Sequence, residues 1–383
     1  MPSMTARLSL ALLALCACAG GPERPASIPQ LSLADTALVS IPDAVDGEYA
    51  MPTVSGATRL HDGGFAVWAG PEVFAFDATG RFLRRYGGRG TGPGEFSFIY
   101  GAAECAPDTL GLWDGSQRRV TSLALADGSV QIQSVHEVPQ RSLFAGCAGD
   151  SIVVAASNFD YSYSMVQDTI LILAIAPATG GVDTLAKTRD VVHVGPLQRF
   201  SPFTSTAARG GTIVLGDNGT AQLVRWSASG RDTIVAHLAR LPATEHLADS
   251  VKDWWALHSG PKDSPQNPEI RRMIDEAWAK LPAPDTLPLF SKILLDDHGA
   301  IWLSDYVGYP TSEFVHPTRW TSINDRGEPA GTLPLPPGFV LSEISGGAAL
   351  GVLENEDGSR VVQVRELEGG QDGQDGRDGR VEK

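Results

Sequence analysis

Asp297-His298-Gly299-Ala300-Ile301-Trp302-Leu303-Ser304 is a turn followed by a short apolar strand, and that pair of features recurs along the chain. The Asp and Gly residues carry turn chemistry, while Ile301–Ser304 has the β-branched and aromatic content of a strand. The same order appears where His61–Gly64 leads into Phe65–Trp68 and Pro107–Thr109 into Leu110–Trp113. It returns at Gly149–Ser151 before Ile152–Ala155, Gly210–Thr212 before Ile213–Gly216, and Ser345–Ala348 before Ala349–Val352. The first five strand starts are separated by 45, 42, 61 and 88 residues.

A second strand follows each of these strands, and in five units a hairpin turn and a third strand come next. The turns are Asp77–Gly80, Ala126–Ser129, Pro177–Gly181, Ser227–Gly230 and Asn324–Gly327, each with a Gly at or near its end for the positive φ of a hairpin. A unit of 40–50 residues with about four strands has the β-propeller period. The sixth unit stops after Val361–Arg365, and Leu31–Ile41 (LSLADTALVSI) stands alone before the first. Pairing those two segments closes a ring and removes two open edges together. The expected fold is all-β, a six-bladed β-propeller with the N-terminal strand completing the last blade.

The 88-residue step contains Thr244–Lys280, which reads as two helices inserted between blades four and five (residues 244–281 in all). Leu247, Val251 and Trp254 or Trp255 share one face of the first helix. Asn267-Pro268 starts the second as a cap followed by Pro at the first helical position. Its stripe is Ile270, Met273, Ile274, Ala277 and Trp278. The insertion is read first as packing on a blade edge, and second as a lid or docking element.

Tyr86-Gly87-Gly88-Arg89-Gly90-Thr91-Gly92-Pro93-Gly94-Glu95-Phe96 resembles the loop joining blades in NHL-repeat propellers, and Asp296–Asp305 resembles their core strand pair. The chain as a whole resembles the six-bladed propeller lipoproteins of bacteria. NHL-like propellers include binding modules, lyases and lactonase-type hydrolases, so the resemblance implies a fold and leaves the activity open. The Gly87–Gly94 loop is no phosphate cradle by sequence, because a strand follows it in place of a helix with Lys-Ser/Thr.

At the N-terminus, Arg7 precedes the apolar run Leu8–Ala17, too short to span a bilayer. Leu15-Cys16-Ala17-Cys18 resembles a lipobox, which implies a signal peptide over residues 1–17 and diacylglycerol on Cys18. An ordinary small-x-small cleavage at Ala17-Cys18-Ala19 is the alternative. Residues 18–30 then form a Gly/Pro-rich tether, residues 31–368 the propeller, and 369–383 a Gly/Asp tail too polar to bury anything. The expected setting is export with a lipid anchor, at the outer membrane or facing the periplasm, and a monomer. Cys105 and Cys147 are left as a pair in an oxidising compartment, and a disulfide between them is expected. A formal net charge of −15 argues against a nucleic-acid partner.

No nucleophile elbow, His-x-His pair or His-Glu-x-x-His helix occurs in the sequence. The expected function is therefore a non-enzymatic binding or scaffolding role for an unknown protein or small ligand, with no cofactor. The alternative is a lactonase- or lyase-type enzyme with Ca or Zn in the channel, for which Glu104, Asn158 and Asp305 are the oxygen ligands to consider. Trp68, Trp113 and Trp302 are read as packing between blades. Trp302, Asp305, Tyr306 and Tyr309, with Trp254, Trp255 and Trp278, are the candidate ligand or partner surface.

Overall fold

In a computed structural model, residues 28–139, 141–158, 164–258, 268–307 and 316–369 are described. The expected signal and the expected anchor at Cys18, with Tyr309, Asn267 and nearly all of the tail, lie outside them. Strand β1 (Ser32–Pro42) comes first, followed by a small hairpin of β2 (Ala44–Val45) and β3 (Tyr49–Ala50). The first four-stranded sheet is β4 (Val54–Arg59), β5 (Phe65–Ala69), β6 (Glu72–Phe76) and β7 (Phe82–Gly87). The second is β8 (Gly101–Ala106), β9 (Thr109–Asp114), β10 (Arg119–Ala124) and β11 (Val130–Ser134).

Next come β12 (Arg141–Ala148), β13 (Ser151–Ser157), β14 (Met165–Ile175), β15 (Val182–Val194) and β16 (Leu197–Gln198). The run continues with β17 (Thr204–Arg209), β18 (Thr212–Asp217), β19 (Gln222–Ser227) and β20 (Gly230–Val235), and these nine strands form one sheet. Helices α1 (Glu245–His258) and α2 (Pro268–Trp278) follow. Another four-stranded sheet is β21 (Ile293–Leu295), β22 (Ile301–Ser304), β23 (Arg319–Ile323) and β24 (Pro329–Pro334). The last comprises β25 (Phe339–Ser345), β26 (Ala348–Glu354) and β27 (Arg360–Glu368), completed by β1.

The fold is an all-β propeller in which β4, β8, β12, β17, β21 and β25 neighbour one another around a channel. Four separate four-stranded blades are present where six are expected from the sequence. The third and fourth expected units merge because β12 and β17 pair in parallel at Gly146↔Ala208, and Gly149 N–H donates to Gly210 O at 2.6 Å. Gly146 sits at φ +121°, and a Cβ there would collide with the Ala208 carbonyl oxygen, so only glycine lets the two backbones approach. The N-terminal strand pairs antiparallel with β27 from Ser32↔Glu368 to Pro42↔Val361.

Between the sheets the core is apolar. Phe65, Phe74 and Phe76 of the first sheet pack with Ile41, Leu350 and Val362 of the last. Trp113 is fully buried and donates its indole N–H to Ser142 Oγ at 3.0 Å. Trp302 is buried against Trp320, Leu333 and Phe339, with its N–H on Asp296 Oδ2 at 3.1 Å. Both indoles pack between sheets and satisfy their polar edge locally.

The helical pair packs on the end of β15, on β16 and on the segment after it through Val194, Leu197 and Phe200. Thr244 Oγ1 accepts the Leu247 N–H at 3.2 Å, an N-cap for α1. The buried face of α1 is Ala248, Val251 and Ala256, so Trp254 and Leu247 lie at its margin. In α2 the buried residues are Ile274, Ala277 and Trp278, while Met273 is exposed and leaves the expected stripe. The second helix ends at Trp278, with Lys280 and Leu281 N–H groups closing the last turn onto Ala277 O and Trp278 O. Among the described residues no helix is long and apolar enough to cross a membrane.

Candidate functional site

Each inner strand has a start and an end, and the two ends of the channel differ. At the end where β4 turns into β5 and β8 into β9, the sheets are tied to one another. Glu104 Oε2 accepts the His61 N–H at 2.6 Å, and Oε1 meets His61 Nδ1 and the Asp108 N–H, each at 2.9 Å. Cys105 and Cys147 then join β8 to β12 as a disulfide, with Cα atoms 5.3 Å apart. Arg209 of β17 reaches past β21 to β25, donating to Leu295 O at 3.3 Å, Ile344 O at 3.0 Å and Glu343 Oε1 at 2.7 Å. The other Glu343 oxygen accepts from the Thr58 hydroxyl at 3.2 Å and the Arg59 N–H at 3.1 Å. Asp297 Oδ2 accepts the Gly346 N–H at 2.8 Å, which ties β21's sheet to β25's. The Arg209–Glu343 pair thus lies over this end of the channel.

At the opposite end the described residues leave a cavity. The starts of β12, β17 and β21 surround a cavity of about 600 Å³ with Tyr306 and Val307 at its edge. Phe144 can line it because the facing residue of β8 is Gly101, where a Cβ would strike the ring. Hydroxyls hold the surrounding backbone. Ser201 Oγ accepts the Val192 N–H at 2.6 Å, and Thr204 Oγ1 donates to Arg189 O at 3.0 Å. Arg141 and the buried Asp190 face each other at 3.8 Å, so these two charges offset one another.

Lys292 is the remaining cation of the lining. Its backbone is fixed by Ser304, whose Oγ accepts the Lys292 N–H at 2.9 Å and whose N–H donates to Lys292 O at 3.0 Å. The side chain is reached by solvent from the cavity, yet the surrounding protein lowers its pKa through desolvation. No ion pair joins Lys292 to any described residue. His316, half-buried nearby, is likewise pushed down, first by burial and then by the Lys292 charge.

The residues expected to hold a channel cation do not come together. Glu104 ends an inner strand at the tied end, whereas Asn158 follows β13 and Asp305 follows β22, at the cavity end. Asn158 is exposed, and Asp305 accepts from Arg319 at 3.2 Å. His61, Glu104 and Asp108 do cluster within 4.8 Å, but Glu104 already accepts hydrogen bonds on both oxygens that join two sheets. The trio is a tie between sheets. Its His61 imidazole titrates above the ordinary 6.5, chiefly because Nδ1 hydrogen-bonds Glu104. A raised pKa means the bond stabilises at low pH and is lost as pH rises through the His61 midpoint. NMR titration is expected to place that midpoint above 6.5 and Glu104→Gln to bring it back; a midpoint at or below 6.5 in the parent protein contradicts the tie.

The only fully buried histidine among the described residues is His193. Its Nδ1 lies 2.8 Å from Gly195 O and Nε2 lies 3.0 Å from Asp168 Oδ2, so both ring nitrogens are engaged by the protein. The Gly87–Gly94 loop presents carbonyls to its neighbour. Gln117 donates to Gly90 O at 2.8 Å, and Arg119 donates to Thr91 O at 3.2 Å and to Glu95 O. Those carbonyls are engaged by side chains of the second sheet.

Of the expected surface residues, Trp302 and Trp278 are buried, the latter under Arg199 at 5.5 Å. Trp254 stacks on His258 at 4.0 Å and meets Trp255 edge-on at 5.6 Å. Tyr306 does line the cavity and also packs toward the helices. Lys292, Arg141, Asp190 and Thr204 escaped the sequence reading. The available signal was Lys292 itself, one of six lysines, placed directly before the inner strand Ile293-Leu294-Leu295.

No family model matches the chain, and no curated protein matches it. Among solved structures, it is similar to a DUF4221 family member from Bacteroides vulgatus, with a TM-score of 0.49 and 10% identity over 89% of this chain and 99% of that one. A protein from Bacteroides fragilis provisionally described as exported gives a TM-score of 0.46 and 10% identity, covering 88% and 95% of the two chains. A streptogramin B lyase gives 0.39 and 10%, covering 86% and 87%. At these identities none of them informs the site.

Proposed function

We propose that the protein is a non-enzymatic binding propeller of the cell envelope, anchored by lipid on Cys18, that takes a small ligand in the cavity at one end of its channel. One observation carries this reading: among the described residues a cavity of about 600 Å³ lies at one end of the channel, while the Arg209–Glu343 pair and the ties between sheets occupy the other. That volume is in the range of small-molecule sites, which combine apolar walls with a few convergent polar groups. In this reading the nine-stranded sheet is two blades joined edge to edge, which with the four separate ones makes a ring of six. In support, β12–β15 and β17–β20 are each antiparallel runs in chain order, and a single parallel residue pair joins them.

The neutral fluorophore N-phenyl-1-naphthylamine tests the cavity without reference to charge. One saturable site per chain is expected, lost in Ser205→Trp, which fills the lining, with unchanged circular dichroism. Fluorescence that is absent in the parent protein, or unaltered by a folded Ser205→Trp variant, overturns the reading.

A further inference from the structure

We propose that Lys292 is the anion-recognising residue of this cavity, and that the natural ligand is a small carboxylate with an apolar body. This rests on the binding reading above and names its ligand class. Two observations on the lining carry it. Lys292 is a cation facing the cavity with no acidic partner among the described residues. The other two full charges there, Arg141 and Asp190, already face each other at 3.8 Å. Among the described residues the lining therefore holds one cation without an acidic partner, and a ligand's anion is a group it can pair with.

The rest of the wall sets the remainder of the ligand. Phe144, Ile170, Phe203 and Ile293 give it apolar surface, and the hydroxyls of Ser291 and Thr206 stand among them. A single lysine matches a monoanion, and a phosphate dianion would call on the guanidinium that Asp190 already holds.

The test is a matched series: straight-chain carboxylates from acetate to decanoate, their primary amides and the corresponding alkyl phosphates, titrated calorimetrically into the full chain. Affinity is expected to rise with chain length, with each longer acid bound at least about tenfold more tightly than its amide. Lys292→Met is expected to bring acid and amide to equal affinity, and Lys292→Arg to keep the preference. Acids and amides of equal affinity in the parent protein overturn the assignment to an anion and leave the cavity reading standing. A preference that survives Lys292→Met overturns the assignment to Lys292, and tighter binding of the phosphates overturns the carboxylate. Failure of every member, amides included, together with failure of the neutral fluorophore, overturns the binding reading itself.

Discussion

A chain lacking residues 1–43 is expected to lose its cooperative fold. The segment joins three sheets at once. It pairs with β27 from Ser32↔Glu368 to Pro42↔Val361, and just before that Leu31 N–H donates to Thr332 O at 2.7 Å. Ile41 is buried with Phe65, Phe74 and Phe76 of the first sheet, and Leu33 with Trp302, Trp320 and Leu333 of the sheet before the last. Burying Leu33 and Ile41 stabilises by about 2 kcal/mol each. The ladder hydrogen bonds contribute about 1 kcal/mol apiece. Together these approach the whole stability of an ordinary domain, about 5–15 kcal/mol. Removing them also leaves β27 as a bare apolar edge ready to pair with another chain. Thermal unfolding followed by near-ultraviolet circular dichroism is the measurement, with a chain starting at residue 28 as control. A truncated protein that melts cooperatively within a few degrees of the control shows that the ring closes without β1.

That closure was legible in the sequence because it follows from counting. A last unit short of one strand and an orphan strand at the start have one economical solution, and Leu31–Ile41 was found within one residue of β1. The helices at 245–258 and 268–278 were legible from a cap, a Pro and an apolar stripe, although Met273 lies off the buried face. Other features were hidden for identifiable reasons. Gly146 looks like any strand glycine until Ala208 arrives against it from another unit, and that meeting merges two expected blades. The oxygen-ligand trio failed on strand direction. Glu104 closes a strand running away from the mouth, and Asn158 and Asp305 follow strands running back, so similar places in the repeat fall at opposite ends of the channel. The cavity was illegible for a related reason. Arg141, Thr204 and Lys292 start three different strands far apart in sequence, and only the ring brings them to one opening.

Replacing both Cys105 and Cys147 by Ala is expected to destabilise the protein by about 4 kcal/mol. The bond closes a sequence separation of 42 residues, and the loop-entropy relation for that length gives about 3.9 kcal/mol at 25 °C. For a chain of this size the unfolding entropy is about 0.7 kcal/mol/K, which converts the loss into a fall of roughly 6 °C in melting temperature. Calorimetry of the parent protein, of the parent with reductant and of the double variant checks it. The reductant should lower the parent's transition by a similar amount and leave the variant unchanged. Equal transitions in all three contradict the prediction, as does labelling of two free thiols in the unreduced parent. The position of the bond gives a second readout. It sits at the tied end, between the His61–Glu104 bond and the contact of Gly146 with Ala208, away from the cavity mouth. Below its melting temperature the double variant should therefore bind N-phenyl-1-naphthylamine as the parent does. Lost affinity in a still-folded variant would mean that the tied end sets the shape of the mouth, and that the two ends of the channel are coupled.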